Sequence, residues 1–213
     1  MKWIQDHPED YAFRTNNGLQ VLWVTPLRAL ANDTENALRS ITAGLDIPWE
    51  IMRQTGDTSG KNKELIRRNP PEVLITTPES LHVMMARKGY PNTFRKLHTI
   101  IVDEWHELLG SKRGVQTELA ISRLQNLRKS LRIWGISATI AHMEEAKKAL
   151  LASQADESKS RLVHTDFNKP LKIKSIPPDD VESFPWAGHI GDRLIPKIYP
   201  IIQDSRSTYL LLR

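Results

Sequence analysis

Thr99-Ile100-Ile101-Val102-Asp103-Glu104-Trp105-His106 is the stretch on which the reading of this chain turns. Its β-branched residues, preceded by Leu97 and His98, form a continuous apolar run of the kind that makes a strand buried on both faces. Asp103 and Glu104 follow without a gap and so stand at the carboxyl end of that strand. Two carboxylates there are what a nucleotide-hydrolysing site needs: the first can hold a Mg²⁺ ion and the second can orient the attacking water. The tetrapeptide Asp103-Glu104-Trp105-His106 also reads as a polar strand end with no chemistry, and the rest of the chain has to decide.

Similar runs lie on either side. Strands are expected at Leu19 to Thr25, Trp49 to Arg53, Val73 to Thr77, Thr99 to Asp103, Arg132 to Ser137 and Leu171 to Ile176. Amphipathic segments between them predict helices from about Leu27 to Thr42, Lys61 to Asn69, Glu79 to Arg87, Val115 to Lys129 and Ala141 to Ala152. Strands alternating with helices imply right-handed crossovers and a parallel sheet, an α/β fold. Ligands collect at the carboxyl ends of such strands, where Thr25, Thr77, Asp103 and Ser137 stand. Ser153 to Ser160 is polar and loop-like, and Pro177-Pro178-Asp179-Asp180 breaks the pattern, since proline continues neither a helix nor a central strand. Beyond it Gly188 to Gln203 reads as a helix despite Pro196 and Pro200, and Ser207 to Leu212 as a strand.

The 213 residues carry a formal charge of +5 and no cysteine. Disulfides, thiolate chemistry and cysteine-based zinc sites are therefore excluded. No apolar stretch approaches the ~20 residues of a membrane span, and the amino-terminal Met1-Lys2-Trp3-Ile4-Gln5-Asp6-His7 has no apolar signal region; a cytoplasmic location fits. The positive balance permits a polyanionic partner and equally a basic surface kept for solubility. The histidines show no metal-ligand spacing, and Trp23, Trp49 and Trp134 read as core residues.

Several short motifs carry two readings each. In Ile136-Ser137-Ala138-Thr139 the hydroxyls can bond the Asp-Glu-Trp-His tip, or Thr139 can cap the next helix. Val24-Thr25-Pro26-Leu27-Arg28 and Thr76-Thr77-Pro78-Glu79-Ser80 both end a strand and open a helix. Helix amides bind phosphate well, while proline is also ordinary helix-start chemistry. Gln54-Thr55-Gly56-Asp57-Thr58-Ser59-Gly60-Lys61-Asn62 is not a phosphate loop: three residues separate Gly56 from Gly60 and Asn62 follows Lys61, where that loop needs four and a Ser or Thr. It is a polar turn whose Thr55 and Gly56 amides can touch a backbone phosphate. Gly110-Ser111-Lys112-Arg113-Gly114 is a basic loop, either a phosphate contact or a solvated charge cluster.

Taken in order, Thr-Pro-Leu-Arg-Ala-Leu, Thr-Gly-Asp-Thr-Ser, Thr-Thr-Pro-Glu-Ser-Leu, Asp-Glu-Trp-His and Ser-Ala-Thr resemble the superfamily 2 helicases. The run from Asp103 to Gly114, with Pro185-Trp186-Ala187-Gly188-His189, is similar to the Lhr-type, ligase-associated DEXH-box DNA helicases. The resemblance implies an ATP- and Mg²⁺-dependent motor of RecA-like domains, moving 3′ to 5′ on single-stranded or partly duplex DNA in repair, with RNA as an alternative substrate and a ligase among its partners. Asp103 would then serve the Mg²⁺ and Glu104 would activate water. His106, Ser137 and Thr139 would couple hydrolysis to strand separation. Thr25, Pro26, Arg28, Thr55, Gly56, Thr77, Pro78 and Glu79 would line the DNA track, with Lys112 and Arg113 as further phosphate contacts.

The sequence departs from that family where its Gly-rich phosphate loop would precede the first strand, and the arginine fingers of the second domain are missing. Residues 1–176 are thus expected to be most of a first RecA-like domain, 177–187 a linker and 188–213 the opening of a second. An arginine finger contributes about 10³–10⁵ in rate. The expectation is a piece of a DNA helicase with negligible ATPase activity of its own, against a nucleic-acid-binding module without the motor, or a remnant with no function. The missing strand should be central to the sheet, so its absence should leave unpaired backbone and an open apolar face.

Overall fold

The structure is a computed structural model and describes residues 16–138, 140, 142–151, 159–164, 173–176, 190–205 and 208. The chain divides into two compact units, Met1–Leu162 and Val163–Arg213. In the first, five parallel strands form one sheet: β1 (Val21–Val24), β2 (Ile51–Gln54), β3 (Val73–Thr76), β4 (Thr99–Val102) and β5 (Arg132–Gly135). Their order is β2-β3-β1-β4-β5. The register is level across the centre, Val24 lying opposite both Thr76 and Val102, so the chain leaves β1, β3 and β4 at one height. This is the parallel α/β sheet flanked by helices that the alternation of apolar runs predicts.

Helices α1 (Arg28–Gly44), α2 (Gly60–Arg68), α3 (Pro78–Met85), α4 (Tyr90–Phe94), α5 (Trp105–Leu108), α6 (Lys112–Leu127) and α7 (Met143–Leu151) connect the strands. One face of the sheet carries Leu22, Val24, Leu74, Ile100 and Val102 against Ile66, Leu81, Phe94, Trp105, Ile121 and Leu150, which come from α2 through α7. On the opposite face Ala31 and Leu38 of α1 cover Ile51, Val73 and Ile75, with Val21, Trp23 and Trp49 packed alongside.

That unequal cover corrects one expectation. Strand β3 is buried at every residue, whereas β5 is exposed at three of its four. Trp134, expected in the core, is 61% exposed and Ile136 is 43% exposed. Strand β5 pairs with β4 alone among the described residues, leaving its other edge without a ladder. The sequence leads one to expect a gap at the centre of the sheet, but β3, β1 and β4 are each paired on both sides, and the uncovered apolar face lies at the edge strand β5.

Local chemistry sets the helix boundaries. Ser59 caps α2 by accepting from the Asn62 amide at 3.3 Å, and Arg67 and Arg68 occupy its last turn, where cations suit the helix dipole. Pro78 opens α3. The basic segment Gly110–Gly114 is a loop only in its first half, because Ser111 accepts from the Gly114 amide at 3.1 Å and starts α6 at Lys112 rather than Val115. Gly114 has a steric reason: a Cβ there would lie 2.1 Å from the Leu108 carbonyl oxygen. The short helices α4 and α5 were not expected.

In the second unit α8 (Ile190–Gln203) runs through Pro196 and Pro200, the span expected from Gly188. Residues 173–176 form no strand, so the expected strand from Leu171 to Ile176 does not extend over them; Leu171 and Lys172 lie outside the described residues. So do the expected linker 177–187 with Trp186, and all of the expected strand Ser207 to Leu212 except Thr208. Among the described residues no helix is long and apolar enough to cross a membrane.

The packing generates a contrast in stability. Ile100 is fully buried in the centre of the sheet, and Ile100→Ala is expected to cost about 2–5 kcal/mol in urea unfolding. Trp134→Gln, on the open face, is expected to change stability by less than about 0.5 kcal/mol. A large loss at Trp134 would mean that the face is covered.

Candidate functional site

The carboxyl ends of β1, β3, β4 and β5 gather most of the singled-out residues. Asp103 is fixed on three sides. Its amide donates to the Val24 carbonyl at 2.8 Å. One carboxylate oxygen accepts from the Glu104 amide at 3.0 Å and the other from the Trp23 indole N–H at 3.3 Å. Trp23 reads from sequence only as core; its place on β1, level with Ile101 of β4, sets its N–H beside the carboxylate.

Glu104 turns the chain. Its φ of 47° and ψ of 46° lie in the left-handed region, which costs an ordinary residue about 1–2 kcal/mol. Trp105 is anchored behind it, its amide donating to Ile136 O and its indole N–H to Ala146 O, each at 3.0 Å. The turn leaves the Glu104 side chain 38% exposed while Trp105 is buried.

His106 joins this turn to the end of β5. Its amide donates to Ser137 Oγ at 3.2 Å, and its Nδ1 lies 3.2 Å from the same oxygen and 3.2 Å from Glu104 Oε2. The Ala138 amide also points at Nδ1, at 3.4 Å. A protonated Nδ1 serves Glu104 or Ser137; an unprotonated one accepts from Ser137 or Ala138. The ring therefore has two alternative sets of partners. Of the two hydroxyls expected to meet the Asp-Glu-Trp-His tip, Ser137 does so and Thr139 lies outside the described residues.

The expected track residues divide by burial. Thr25, Thr55 and Thr77 are 0%, 1% and 4% exposed, and Pro26 and Pro78 are buried as well. These side chains shape the turns. The Thr55 amide is taken by Thr58 Oγ1 at 2.9 Å, so it is not the free donor expected. Thr25 Oγ1 has no hydrogen-bond partner among the described residues. Arg28, Gly56, Glu79 and Lys112 are exposed. Arg28 lies across Gly56, where a Cβ would come within 2.9 Å of its guanidinium, so two motifs distant in sequence present one surface. The Asp57 carboxyl beside them is held below its ordinary value by the Thr55 hydroxyl first, with smaller help from Arg28.

Arg113 is a clamp rather than an open phosphate contact. It donates to the Glu79 carboxylate on α3 and to the Pro26 carbonyl before α1. Burial alone would raise the Glu79 pKa. The bond from Arg113, together with hydrogen bonds from the Glu79 backbone and Thr77 and with the Arg113 charge, outweighs it, so the carboxyl sits below its ordinary 4.5.

No group of three metal-ligating side chains occurs among the described residues. Asp103 accepts one hydrogen bond on each oxygen, which leaves a lone pair on each. That suits Mg²⁺, which binds through one or two carboxylates with phosphate oxygens and water completing its shell.

A parallel sheet with a carboxylate pair at its central carboxyl end, linked through His106 to the hydroxyl after the neighbouring strand, is the RecA-like architecture of a helicase domain. Residues 4–147 match the sequence profile of the DEAD/DEAH box helicase family, and the chain belongs to that family. Over 199 residues it is 32% identical to the ATP-dependent helicase Lhr-Core of Methanothermobacter thermautotrophicus, covering 89% of this chain and 23% of that protein. The Lhr helicase/probable uracil glycosylase of Mycolicibacterium smegmatis is 37% identical over 160 residues, 70% of this chain and 10% of that one. The chain thus spans less than a quarter of either relative. The structure of Mycobacterium smegmatis helicase Lhr bound to single-stranded DNA and AMP-PNP aligns with a TM-score of 0.56 at 35% identity, over 70% of this chain and 20% of that one. The DUF1998 helicase MrfA bound to DNA and AMPPNP, at 24% identity and a TM-score of 0.57 over 70% of this chain and 20% of its own, shares the fold.

The clamp has a pH signature. Glu79 titrates below its unfolded value, so the stabilisation from its bond to Arg113 is complete above about pH 4.5 and fades as the pH falls through the lower folded value. An NMR titration should place the Glu79 midpoint below 4.5, and Arg113→Gln should move it upward. An unmoved midpoint would mean that Arg113 is not the cause.

Proposed function

We propose that this chain works as part of an ATP-dependent DNA helicase or translocase, contributing a nucleic-acid track and the catalytic carboxylates. The observation that carries this reading is the hydrogen-bonded link from Asp103 through Glu104 and His106 to Ser137. Asp103 holds the Mg²⁺ of a bound Mg·ATP, and Glu104, exposed on its turn, orients the attacking water. His106 passes the state of that pocket to the end of β5. Arg28 and the open Gly56 hold strand phosphates without reading sequence, over turns built by Thr25, Pro26, Thr55, Thr77 and Pro78. Movement 3′ to 5′, a role in repair beside a ligase, and a preference for DNA over RNA follow from the resemblance to Lhr-type helicases.

The sequence contains no Gly-x-x-x-x-Gly-Lys-Ser/Thr run, so the 213 residues alone are expected to bind single-stranded DNA and hydrolyse no ATP above background. DNA-stimulated turnover that disappears in Glu104→Gln would show that other residues cradle the phosphates. Arg28→Ala is expected to weaken DNA binding alike across sequences and to flatten the plot of log affinity against log salt by about 0.7, one phosphate's share on a single strand. An unchanged slope would remove Arg28 from the track. DNA binding without turnover, in a protein whose frame begins at Met1, would favour a binding module that has no motor.

A further inference from the structure

The carboxyl end of β2 opens onto a feature that the motor chemistry does not use. Between α2 and the α3–α4 connection lies a cavity of about 520 Å³. Lys63, Arg67, Arg68, Arg87, Lys88 and Arg95 line it, and no carboxylate does. Arg67 and Arg68 are both held by Glu64, at 2.5 and 2.7 Å. Among the described residues Arg87, Lys88 and Arg95 have no ion-pair partner and are exposed.

The inner wall is equally specific. Gln54 is 4% exposed and lines the cavity, yet its side-chain amide finds no hydrogen-bond partner among the described residues. Its backbone carbonyl is the group used, accepting from Thr76 Oγ1 at 2.7 Å. The cavity is where that amide meets solvent, and an oxygen-rich anion there can accept its N–H in place of water. The cavity is also joined to the strand-holding edge: Gln54 directly precedes Thr55, and Lys63 Nζ donates to the Gly56 carbonyl at 3.3 Å.

We propose that this cavity receives phosphates of the bound nucleic-acid strand beyond the stretch held at Arg28 and Gly56, so that the track continues from the sheet edge to Arg87, Lys88 and Arg95. Guanidinium forks and an amide donor in the cavity wall suit phosphate oxygens. Cations that no carboxylate neutralises are what gives an electrostatic, sequence-independent grip. The inference rests on the reading that the sheet edge binds a strand.

The test is fluorescence anisotropy with two labelled oligothymidylates, one short enough to be held at the sheet edge alone and one several-fold longer. The protein is compared with Arg87→Gln/Lys88→Gln and with Arg95→Gln, all surface changes whose folding is checked by circular dichroism. The double variant is expected to weaken the long oligomer about tenfold and to flatten its salt slope by about 1.4, two phosphates' share, while leaving the short one unchanged. Arg95→Gln is expected to act in the same direction, more weakly. Equal effects on both lengths, or none on either, overturn the proposal. Inorganic tripolyphosphate is the second probe: binding that the variants abolish, with the long oligomer unaffected, would assign the cavity to a small polyphosphate and overturn the strand path. If the unaltered protein binds neither oligomer, both readings fall; if Arg28→Ala weakens both lengths and the cavity variants weaken neither, only this one does.

Discussion

Strand β1 is hydrogen-bonded in level register to β3 on one side and β4 on the other, and the site depends on that pairing. Because Val24 sits opposite both Thr76 and Val102, the chain turns out of the three strands at the same height. Thr25, Thr77 and Asp103 therefore appear side by side although they are distant in sequence. The ladder continues one step past the strands, the Thr25 amide donating to Thr76 O at 3.0 Å and the Asp103 amide to Val24 O at 2.8 Å. A shift of one residue in the β1–β4 pairing would turn Asp103 to the other face and break its bond to Trp23.

Arg113 then fixes what the register only aligns. By bonding the Glu79 carboxylate and the Pro26 carbonyl it ties the start of α6 to the start of α3 and to the turn before α1. Its charge is consumed inside the structure, and the same holds for Arg67 and Arg68 on Glu64. The net charge of +5 is thus a poor guide to where a polyanion can sit. What matters is which cations have no carboxylate within reach, and Arg87, Lys88 and Arg95 are of that kind.

The sequence made the alternation of strands and helices legible because parallel strands under helices need near-continuous apolar runs, as in Val73-Leu74-Ile75 and Ile100-Ile101-Val102. The carboxylate pair was legible because it follows such a run directly. Trp134 was misjudged because strand pattern says that a residue faces a layer, not whether a helix covers it; α1 reaches β2 and β3 and leaves β5 open. The start of α6 was misjudged because glycine at 114 reads as a loop residue, whereas here its missing Cβ admits the Leu108 carbonyl. The basic cavity left no signal, since Gln54, Lys63, Arg87 and Arg95 come together only through the packing of α2 against the sheet.

Glu104 shows how the site and the sheet edge share one energy. Its left-handed backbone is unfavourable on its own and persists because both neighbours are held: Asp103 by Val24, and Trp105 by Ile136. The second of these anchors lies just past β5, whose own ladder rests on β4 alone among the described residues. Ser137, which receives the His106 amide, is one residue further on. The turn that aims Glu104 is therefore only as firm as the pairing of β5. Whatever stiffens that strand, whether a neighbour on its open edge or a cover over Trp134, also stiffens the Glu104 carboxylate. The geometry of the turn and the completeness of the sheet are in this sense one property of the fold.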